Sequence, residues 1–159
     1  MDDVSWPHLR RATTGDLAAL VALEAAAFAA PWSRGELAGE LDHPAARSWI
    51  AEDARAGAAD GDRAIGYATL RLAGDEVELL RLAVVPAERR RGVAGALLDR
   101  ALADARRAGA RFAHLEVRRD NAAARAFYEG RGWRQADLRR AYYADGGDAV
   151  LYARDLSAT

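Results

Sequence analysis

The chain has 159 residues, of which 51% are hydrophobic and 30% charged, and its formal net charge is -1. These values indicate one globular domain over residues 1–159 and exclude a disordered chain, which would bury too little apolar surface to fold. The balanced charge provides no overall field that would favour nucleic acid or a membrane. Cysteine and lysine are both absent, which excludes disulfides, thiolate metal sites, cysteine nucleophiles and lysine Schiff bases.

Neither a membrane span nor a metal site is predicted. The chain contains no run of about 18 apolar residues, and its first residues are acidic, whereas a signal peptide begins with basic ones. His8, His43 and His114 are scattered and lack the spacing of metal ligands. We therefore expect a cytoplasmic, monomeric protein that needs no metal and has no direct nucleic-acid or membrane partner.

Hydrophobic periodicity and turn residues divide the first half of the chain into two helices and three strands. The first helix is predicted from apolar residues at helical spacing after the capping residues 13–16, and Pro31 ends it. The second helix begins at a capping box formed by Ser33 and Glu36. The predicted order is a strand at 6–11, helices at 17–28 and 34–41, a strand at 47–52, an exposed loop at 54–63 and a strand at 65–72.

A strand, an arginine-rich turn and a helix follow one another between residues 76 and 105. The apolar run 79–85 predicts a buried strand, and Pro86 stops it. The residues from Val93 onward place an apolar stripe on one helix face. The turn between them precedes the first N–H groups of the helix, which have no internal partner and carry the positive end of the helix dipole. Gly92 and the arginines therefore suit a phosphate at this turn.

The spacing of this turn differs from that of better-known phosphate loops. A Walker loop needs a lysine and a Rossmann turn needs Gly-x-Gly-x-x-Gly, and the chain contains neither. Residues 89–94, Arg-Arg-Arg-Gly-Val-Ala, instead resemble the Gln/Arg-x-x-Gly-x-Gly/Ala signature of the GCN5-related N-acetyltransferases (GNAT). In that family the turn holds the pyrophosphate of acetyl-coenzyme A (acetyl-CoA). On these six residues alone, a basic turn that caps an ordinary helix explains the pattern equally well.

The second half of the chain completes a mixed α/β fold. We predict a strand at 112–117, a helix capped by Asp120 or Asn121 and ended by Gly132, and strands at 133–143 and 149–154 around a glycine turn. The order is therefore β-α-α-β-β-β-α-β-α-β-β. Because the strand–helix–strand unit around the central helix must cross over in parallel, helices are expected on both faces of a mixed sheet.

Glu116, Asn121 and Tyr128 are the polar candidates in this half. Glu116 shares a strand face with His114, and a carboxylate there is costly unless it faces a cleft or is paired with Arg118 or Arg119. Asn121 is explained as a helix cap alone. Tyr128 lies two helical turns later and would equally suit a core edge where its hydroxyl finds a partner.

The string from Leu115 to Trp133, which contains these three residues, nevertheless reproduces an acetyltransferase pattern. It closely resembles the RimI-type branch of the GNAT family, the N-terminal acetyltransferases of ribosomal proteins. The segments 31–33, Pro-Trp-Ser, and 139–143, Arg-Arg-Ala-Tyr-Tyr, agree with the same branch. The resemblance covers nearly the whole chain, with Ala94 in place of the commoner glycine.

The resemblance implies the GNAT fold and an N-acetyltransferase that uses acetyl-CoA as co-substrate. The implied acceptor is a protein N-terminal amine, that of the N-terminal alanine of a small-subunit ribosomal protein. Transfer would be direct, with Glu116 as proton acceptor and Tyr128 as proton donor. The implied acceptor groove is flanked by Trp32, Tyr142 and Tyr143. The implied cofactor-binding residues are Leu82, Ala83, Val84, Arg89, Arg90, Arg91, Gly92, Val93, Ala94, Gly95 and Asn121.

Acetyl transfer to an amine requires a proton acceptor and a proton donor. An α-amine has a pKa of about 8 and must lose a proton before it attacks a thioester, and a leaving thiolate must gain one. Glu116, with a reference pKa of about 4.3, is a weak base unless burial or a water relay helps it. A backbone N–H near Val84 would stabilise negative charge on the carbonyl oxygen.

Two alternatives remain open. The first is an acetyltransferase acting on another protein N-terminus, a lysine or a small amine, because one fold hosts many acceptors. The second is a non-catalytic module that binds acyl-CoA through residues 89–94. The presence of both Glu116 and Tyr128 argues against that module, which would need neither residue.

Overall fold

A computed structural model of the chain describes residues 6–54 and 63–157. The order of helices and strands is the predicted one. None of the helices in these two ranges is long and apolar enough to cross a membrane. The elements are β1 (His8–Arg11), α1 (Leu17–Ala27), α2 (Arg34–Asp42), β2 (Ala46–Asp53), β3 (Arg63–Ala73), β4 (Glu76–Val84), α3 (Val93–Arg107), β5 (Phe112–Arg118), α4 (Ala122–Gly130), β6 (Arg134–Arg139) and β7 (Ala149–Asp155).

The strands form one sheet in the order β1-β2-β3-β4-β5-β7-β6. All neighbouring strands are antiparallel except β4 and β5, which are parallel because α3 crosses over between them. The parallel pair is short, since its register runs only from Glu76 opposite Phe112 to Glu78 opposite His114. Beyond that point β4 continues to Val84 and β5 to Arg118, but the two strands no longer pair with each other. A gap therefore opens in the sheet between them.

Helices cover both faces of the sheet, as predicted. The side chains of β2 alternate between the two sides: Trp49 and Ala51 belong to the core beneath α3 and α4, and Ile50 to the core beneath α1 and α2. The apolar stripe predicted for α3 lies in the first of these cores. All of its residues are buried, namely Val93, Leu97, Leu98, Ala101, Leu102 and Ala105.

The close fit of α3 on the sheet depends on Gly66 in β3. A Cβ atom at this position would lie 2.8 Å from the main-chain oxygen of Ala83 and 3.1 Å from Cδ1 of Leu97. No side chain can be accommodated without moving the neighbouring strand or the helix.

The capping box at the start of α2 is confirmed. The Ser33 hydroxyl accepts the Glu36 N–H at 3.1 Å, and the Glu36 carboxylate accepts the Ser33 N–H at 2.6 Å. These two bonds satisfy N–H groups that have no partner within the helix.

Several predicted boundaries differ from the structure. The strand predicted at 6–11 begins only at His8. The first helix ends at Ala27, before Pro31, because the backbone of Phe28 is extended and its ring packs under the Arg81 guanidinium at 3.8 Å. The strand predicted at 133–143 is shorter, because Ala141 has a left-handed backbone (φ 49°) that cannot continue a strand. Most of the predicted loop at 54–63 lies outside the described residues, and Arg63 already begins β3.

Candidate active site

A cleft of ≈ 1040 Å³ lies at the gap between β4 and β5. Its walls come from the end of α1, the last residues of β4, the turn before α3, and the facing sides of α3 and α4. Such a gap at the carboxyl ends of parallel strands is where open α/β sheets bind ligands. The predicted cofactor residues that line it are Leu82, Ala83, Val84, Arg89, Arg90, Gly92, Val93, Ala94 and Gly95.

The end of β4 presents main-chain groups to this gap. The Val85 N–H donates to the Ile65 oxygen at 2.9 Å, which fixes the alternation of bonded positions along β3 and β4. In an antiparallel ladder every second residue directs its N–H and C=O away from the partner strand. Leu82 and Val84 are at these positions, so their N–H groups point toward the gap.

The turn that follows has the geometry of an anion site. Arg90 and Gly92 both have left-handed backbones, with φ of 63° and 86°. Within the described ranges, the N–H groups of residues 90–95 have no protein acceptor, and Gly92 has no side chain that could cap them. The free N–H groups and the dipole of α3 therefore suit the pyrophosphate of a coenzyme.

The three arginines of the turn have different environments. Arg89 donates to the Val84 oxygen at 3.1 Å and to the Ala27 oxygen at 3.2 Å, so its side chain ties the turn to β4 and α1. Arg91 is paired with Glu88 at 2.8 Å and does not line the cleft. Arg90 lines the cleft and has no acceptor among the residues that the structure describes. Arg90 is therefore the arginine available to a phosphate.

Tyr128 lies on α4 and lines the cleft from the α3 side of the sheet. Its ring is 9% exposed and packs edge-on against Phe127 and Trp133, at centroid distances of 5.1 and 5.9 Å. Burial raises the pKa of Tyr128 to about 12. The hydroxyl is therefore protonated at neutral pH, as a free tyrosine also is, and burial makes it the weaker acid of the two.

Glu116 lies on β5 beyond the last residue paired with β4. Leu115 and Val117 belong to the core under α3, so Glu116 is on the opposite face of the strand, together with His114 as predicted. Its carboxylate accepts a hydrogen bond from Arg139 at 3.2 Å. A hydrogen bond with this carboxylate also raises the pKa of Tyr142.

The alternative partners predicted for Glu116 are wrong. Arg118 is bonded to Asp145 at 2.9 Å, and Arg119 to Asp148 at 3.2 Å. Both arginines follow Glu116 closely in the sequence, but they anchor the turn between β6 and β7.

Glu116 and the remaining predicted site residues lie outside the lining of the cleft. Asn121 caps α4, and its side-chain oxygen accepts the Ala124 N–H at 3.1 Å. Trp32 is half-buried in the connection between α1 and α2. Tyr142 and Tyr143 pack edge to face at 5.2 Å in the turn between β6 and β7. Of these aromatic residues, Tyr142 is the one brought to Glu116.

Sequence reasoning missed a buried network beside the cleft. Glu24 of α1 is fully buried. Its carboxylate accepts two hydrogen bonds from Arg81, each at 2.8 Å, one from the Trp32 N–H at 2.8 Å and one from the Tyr67 hydroxyl. Burial opposes its ionisation, but the bonds from Arg81 and Tyr67 hold the pKa of Glu24 below its usual value. The sequence feature that could have indicated this network is Glu24 itself, a glutamate that shares the apolar side of α1 with Leu20 and Leu23.

Arg131 is a second residue that the sequence did not reveal. It follows α4 and lines the cleft, where it donates to Asp99 at 2.6 Å and to the Gly95 oxygen at 3.3 Å. Its guanidinium lies over the Phe127 ring at 5.5 Å. No local pattern marks it, because its partners are on α3, more than thirty positions earlier in the chain.

Known proteins resemble this chain over most of its length. The model of the Acetyltransferase (GNAT) family matches residues 17–133. The [ribosomal protein bS18]-alanine N-acetyltransferase of Escherichia coli is 33% identical over 147 residues, which cover 91% of this chain and 94% of the relative. N-alpha-acetyltransferase RimI of Mycobacterium tuberculosis is 35% identical over 150 residues, which cover 90% and 89%.

A solved structure agrees with these relatives. The crystal structure of the ribosomal-protein-S18-alanine N-acetyltransferase from Escherichia coli matches with a TM-score of 0.84 and 31% identity, over 96% of this chain and 95% of that one. The predicted fold and enzyme class are thereby confirmed. The chain belongs to the acetyltransferase (GNAT) family and, within it, to the RimI-type N-acetyltransferases.

Proposed function

We propose that this protein transfers the acetyl group of acetyl-CoA to the N-terminal amine of a protein, and that the N-terminal alanine of ribosomal protein bS18 is its acceptor. The relative from Escherichia coli is named for acetylation of the alanine of bS18, and the relative from Mycobacterium tuberculosis is named as an N-alpha-acetyltransferase. The observation that carries the proposal is that two sets of main-chain N–H groups without acceptors among the described residues face one cleft, at Leu82 and Val84 of β4 and at residues 90–95 at the start of α3.

Acetyl-CoA is the co-substrate that membership of the GNAT family implies, and the described residues fit it. The free N–H groups of residues 90–95 would hold the pyrophosphate, and the exposed Arg90 would add positive charge. The free main-chain edge at Leu82 and Val84 would pair with the amide-containing arm of the coenzyme, as an added strand would. A direct contact of Asn121 with the coenzyme stays a prediction.

The proton transfers are assigned to Glu116 and Tyr128. The attacking amine forms the new C–N bond and gives up a proton, which Glu116 accepts directly or through water. The C–S bond breaks, and the thiolate, with a thiol pKa of about 8.5, takes the proton that Tyr128 holds. The Val84 N–H, which points away from β3 toward the gap, would stabilise negative charge on the carbonyl oxygen of the acetyl group.

The acceptor would reach the cleft from the side of Glu116. Trp32 on one connection and the Tyr142–Tyr143 pair on another are proposed to flank its path. Aromatic side chains suit this task because they offer a large rigid surface with little loss of conformational entropy.

The test is acetyl transfer from acetyl-CoA to two peptides, read by mass spectrometry. The first peptide carries the free N-terminus of bS18; the second has a blocked N-terminus and an internal lysine. We expect acetylation of the first peptide alone. Transfer to the lysine peptide would assign a different acceptor, and coenzyme binding without transfer to either peptide would contradict the proposed reaction.

A further inference from the structure

Two arginines tie the end of α1 to the strand and turn that form the cofactor side of the cleft. Arg81 of β4 donates to Glu24 through Nε and Nη2, each at 2.8 Å, and its Nη2 also reaches the Ala30 oxygen at 3.4 Å. Arg89 bridges the Ala27 and Val84 oxygens. The first residues of the connection between α1 and α2 are therefore held against β4 and the turn before α3, which form the proposed coenzyme side of the cleft.

Arg81 also orders the aromatic residues of this connection. Its guanidinium lies 3.8 Å from the centroid of the Phe28 ring and 5.0 Å from that of Trp32. The Phe28 ring lines the cleft. A guanidinium held by a carboxylate on one side and by two rings on the other has little freedom to move.

Glu24 binds both Arg81 and the main chain of the connection between α1 and α2. The same carboxylate that binds Arg81 accepts the Trp32 N–H, so the backbone at Trp32 and the guanidinium that contacts the Trp32 ring share one anchor. Because Glu24 is fully buried, its charge is tolerated only with these partners.

We propose that Arg81 is a positioning residue for the acceptor: it holds Phe28 and Trp32 in the arrangement that binds the incoming amine. This inference rests on the proposed function for the identity of the acceptor, but not for the position of Arg81. It predicts that Arg81 acts more on acceptor binding than on coenzyme binding, because its side chain bonds to Glu24 and Ala30 and not to the groups proposed to hold the coenzyme.

The experiment compares Arg81→Met with Arg10→Met. Arg10 is the matched control, because it pairs with Asp16 at 2.9 and 2.7 Å, at the opposite end of α1, and with the buried Glu52 at 2.5 Å. In Arg81→Met the KM for the bS18 peptide should rise about tenfold to a hundredfold, because the acceptor wall shifts. The affinity for acetyl-CoA should change less than the acceptor KM, since Phe28 lines the cleft but none of the proposed coenzyme contacts at Leu82, Val84 and residues 90–95 is removed. Arg10→Met should leave both unchanged.

A double variant separates positioning from simple charge neutralisation. Glu24→Gln with Arg81→Met removes both charges, so the variant folds without a buried unpaired carboxylate. We expect its acceptor KM to stay high, because the rings still lack the guanidinium. An acceptor KM restored to the wild-type value would overturn the proposal.

Amide hydrogen exchange tests the proposal without any acceptor. Exchange at residues 28–33 should be faster in Arg81→Met than in Arg10→Met, because the connection loses its anchor. Equal exchange in the two variants would refute the role of Arg81. If the wild-type enzyme acetylates neither peptide, the proposed function fails, and this exchange measurement still decides about Arg81.

Discussion

Tyr128 and Glu116 approach the gap from opposite faces of the sheet, and their surroundings differ. Tyr128 is enclosed by other rings, whereas Glu116 is partly exposed and bonded to Arg139. The buried Tyr128 hydroxyl is protonated and can donate one proton. The partly exposed Glu116 carboxylate can accept another.

Replacement of Tyr128 by Phe should separate catalysis from binding. The substitution removes the hydroxyl alone, so kcat should fall about a hundredfold while the affinity for acetyl-CoA is kept. Tyr152→Phe is the control: it loses the bonds of its hydroxyl to Arg125 and Glu129 in the same aromatic cluster, away from the cleft. It should reduce stability and leave kcat unchanged. A kcat for Tyr128→Phe within twofold of wild type would contradict the role of Tyr128 as proton donor. The module that binds acyl-CoA without catalysis would be supported only if the wild-type protein itself bound the coenzyme and showed no turnover.

Local sequence patterns predicted residues whose surroundings are local. The residues of β4 and of the turn before α3 line one cleft because they are consecutive in the chain. The partner of Glu116 could not be predicted, because Arg139 is on β6 and β7 lies between β6 and β5 in the sheet. Arg118 and Arg119 were expected instead because they are near in sequence.

At the level of elements, the packing of α3 against β3 sets a strict limit on Gly66. Gly66→Ala should lower the free energy of unfolding by about 1–3 kcal/mol, because the added methyl group meets main-chain and Leu97 atoms at under 3.2 Å. Urea denaturation measures this change. Gly39→Ala is the control, since a Cβ there has no neighbour within 4 Å and alanine favours the helix. Equal stability of Gly66→Ala and wild type would show that α3 can move away without cost.

The boundaries of elements were predictable where a cap or turn residue marks them. The capping box of Ser33 marks the start of α2. Pro31 marks the end of α1 too late, because Phe28 already leaves the helix to pack against Arg81, which is 53 positions later and on another element. Tertiary packing of this kind overrides local helix preference.

For the whole molecule, the composition implies that the change in the free energy of unfolding at alkaline pH depends on the ionisation of the tyrosines. Without lysine or cysteine, the five tyrosines are the side chains that titrate between about pH 9 and 12. The fold raises the pKa of all five, through burial for Tyr67, Tyr128, Tyr143 and Tyr152 and through the bond to Glu116 for Tyr142. The folded state therefore retains protons that the unfolded state loses.

The free energy of unfolding should consequently be level up to about pH 10 and fall as the pH rises toward 12. The sign follows from the raised values: stability is fully present below the pKa of an unfolded tyrosine and is lost above it. Tyr128 alone should account for roughly 2–3 kcal/mol, given its pKa of about 12. Urea denaturation at pH 8, 10 and 11 measures the decrease, which should be smaller in Tyr128→Phe. Constant stability across this range would contradict the prediction.

The short pairing of β4 with β5 has a mechanical consequence for the enzyme. Three register pairs join two leaves of the sheet, β1–β4 and β5–β7–β6, so pairing alone leaves the angle between the leaves weakly determined. The helix that crosses between the leaves, α3, spans that junction with its buried stripe of leucines and alanines. The width of the cleft is therefore governed by side-chain volumes on α3, and a change of one methylene in its buried stripe would alter the separation of the two leaves.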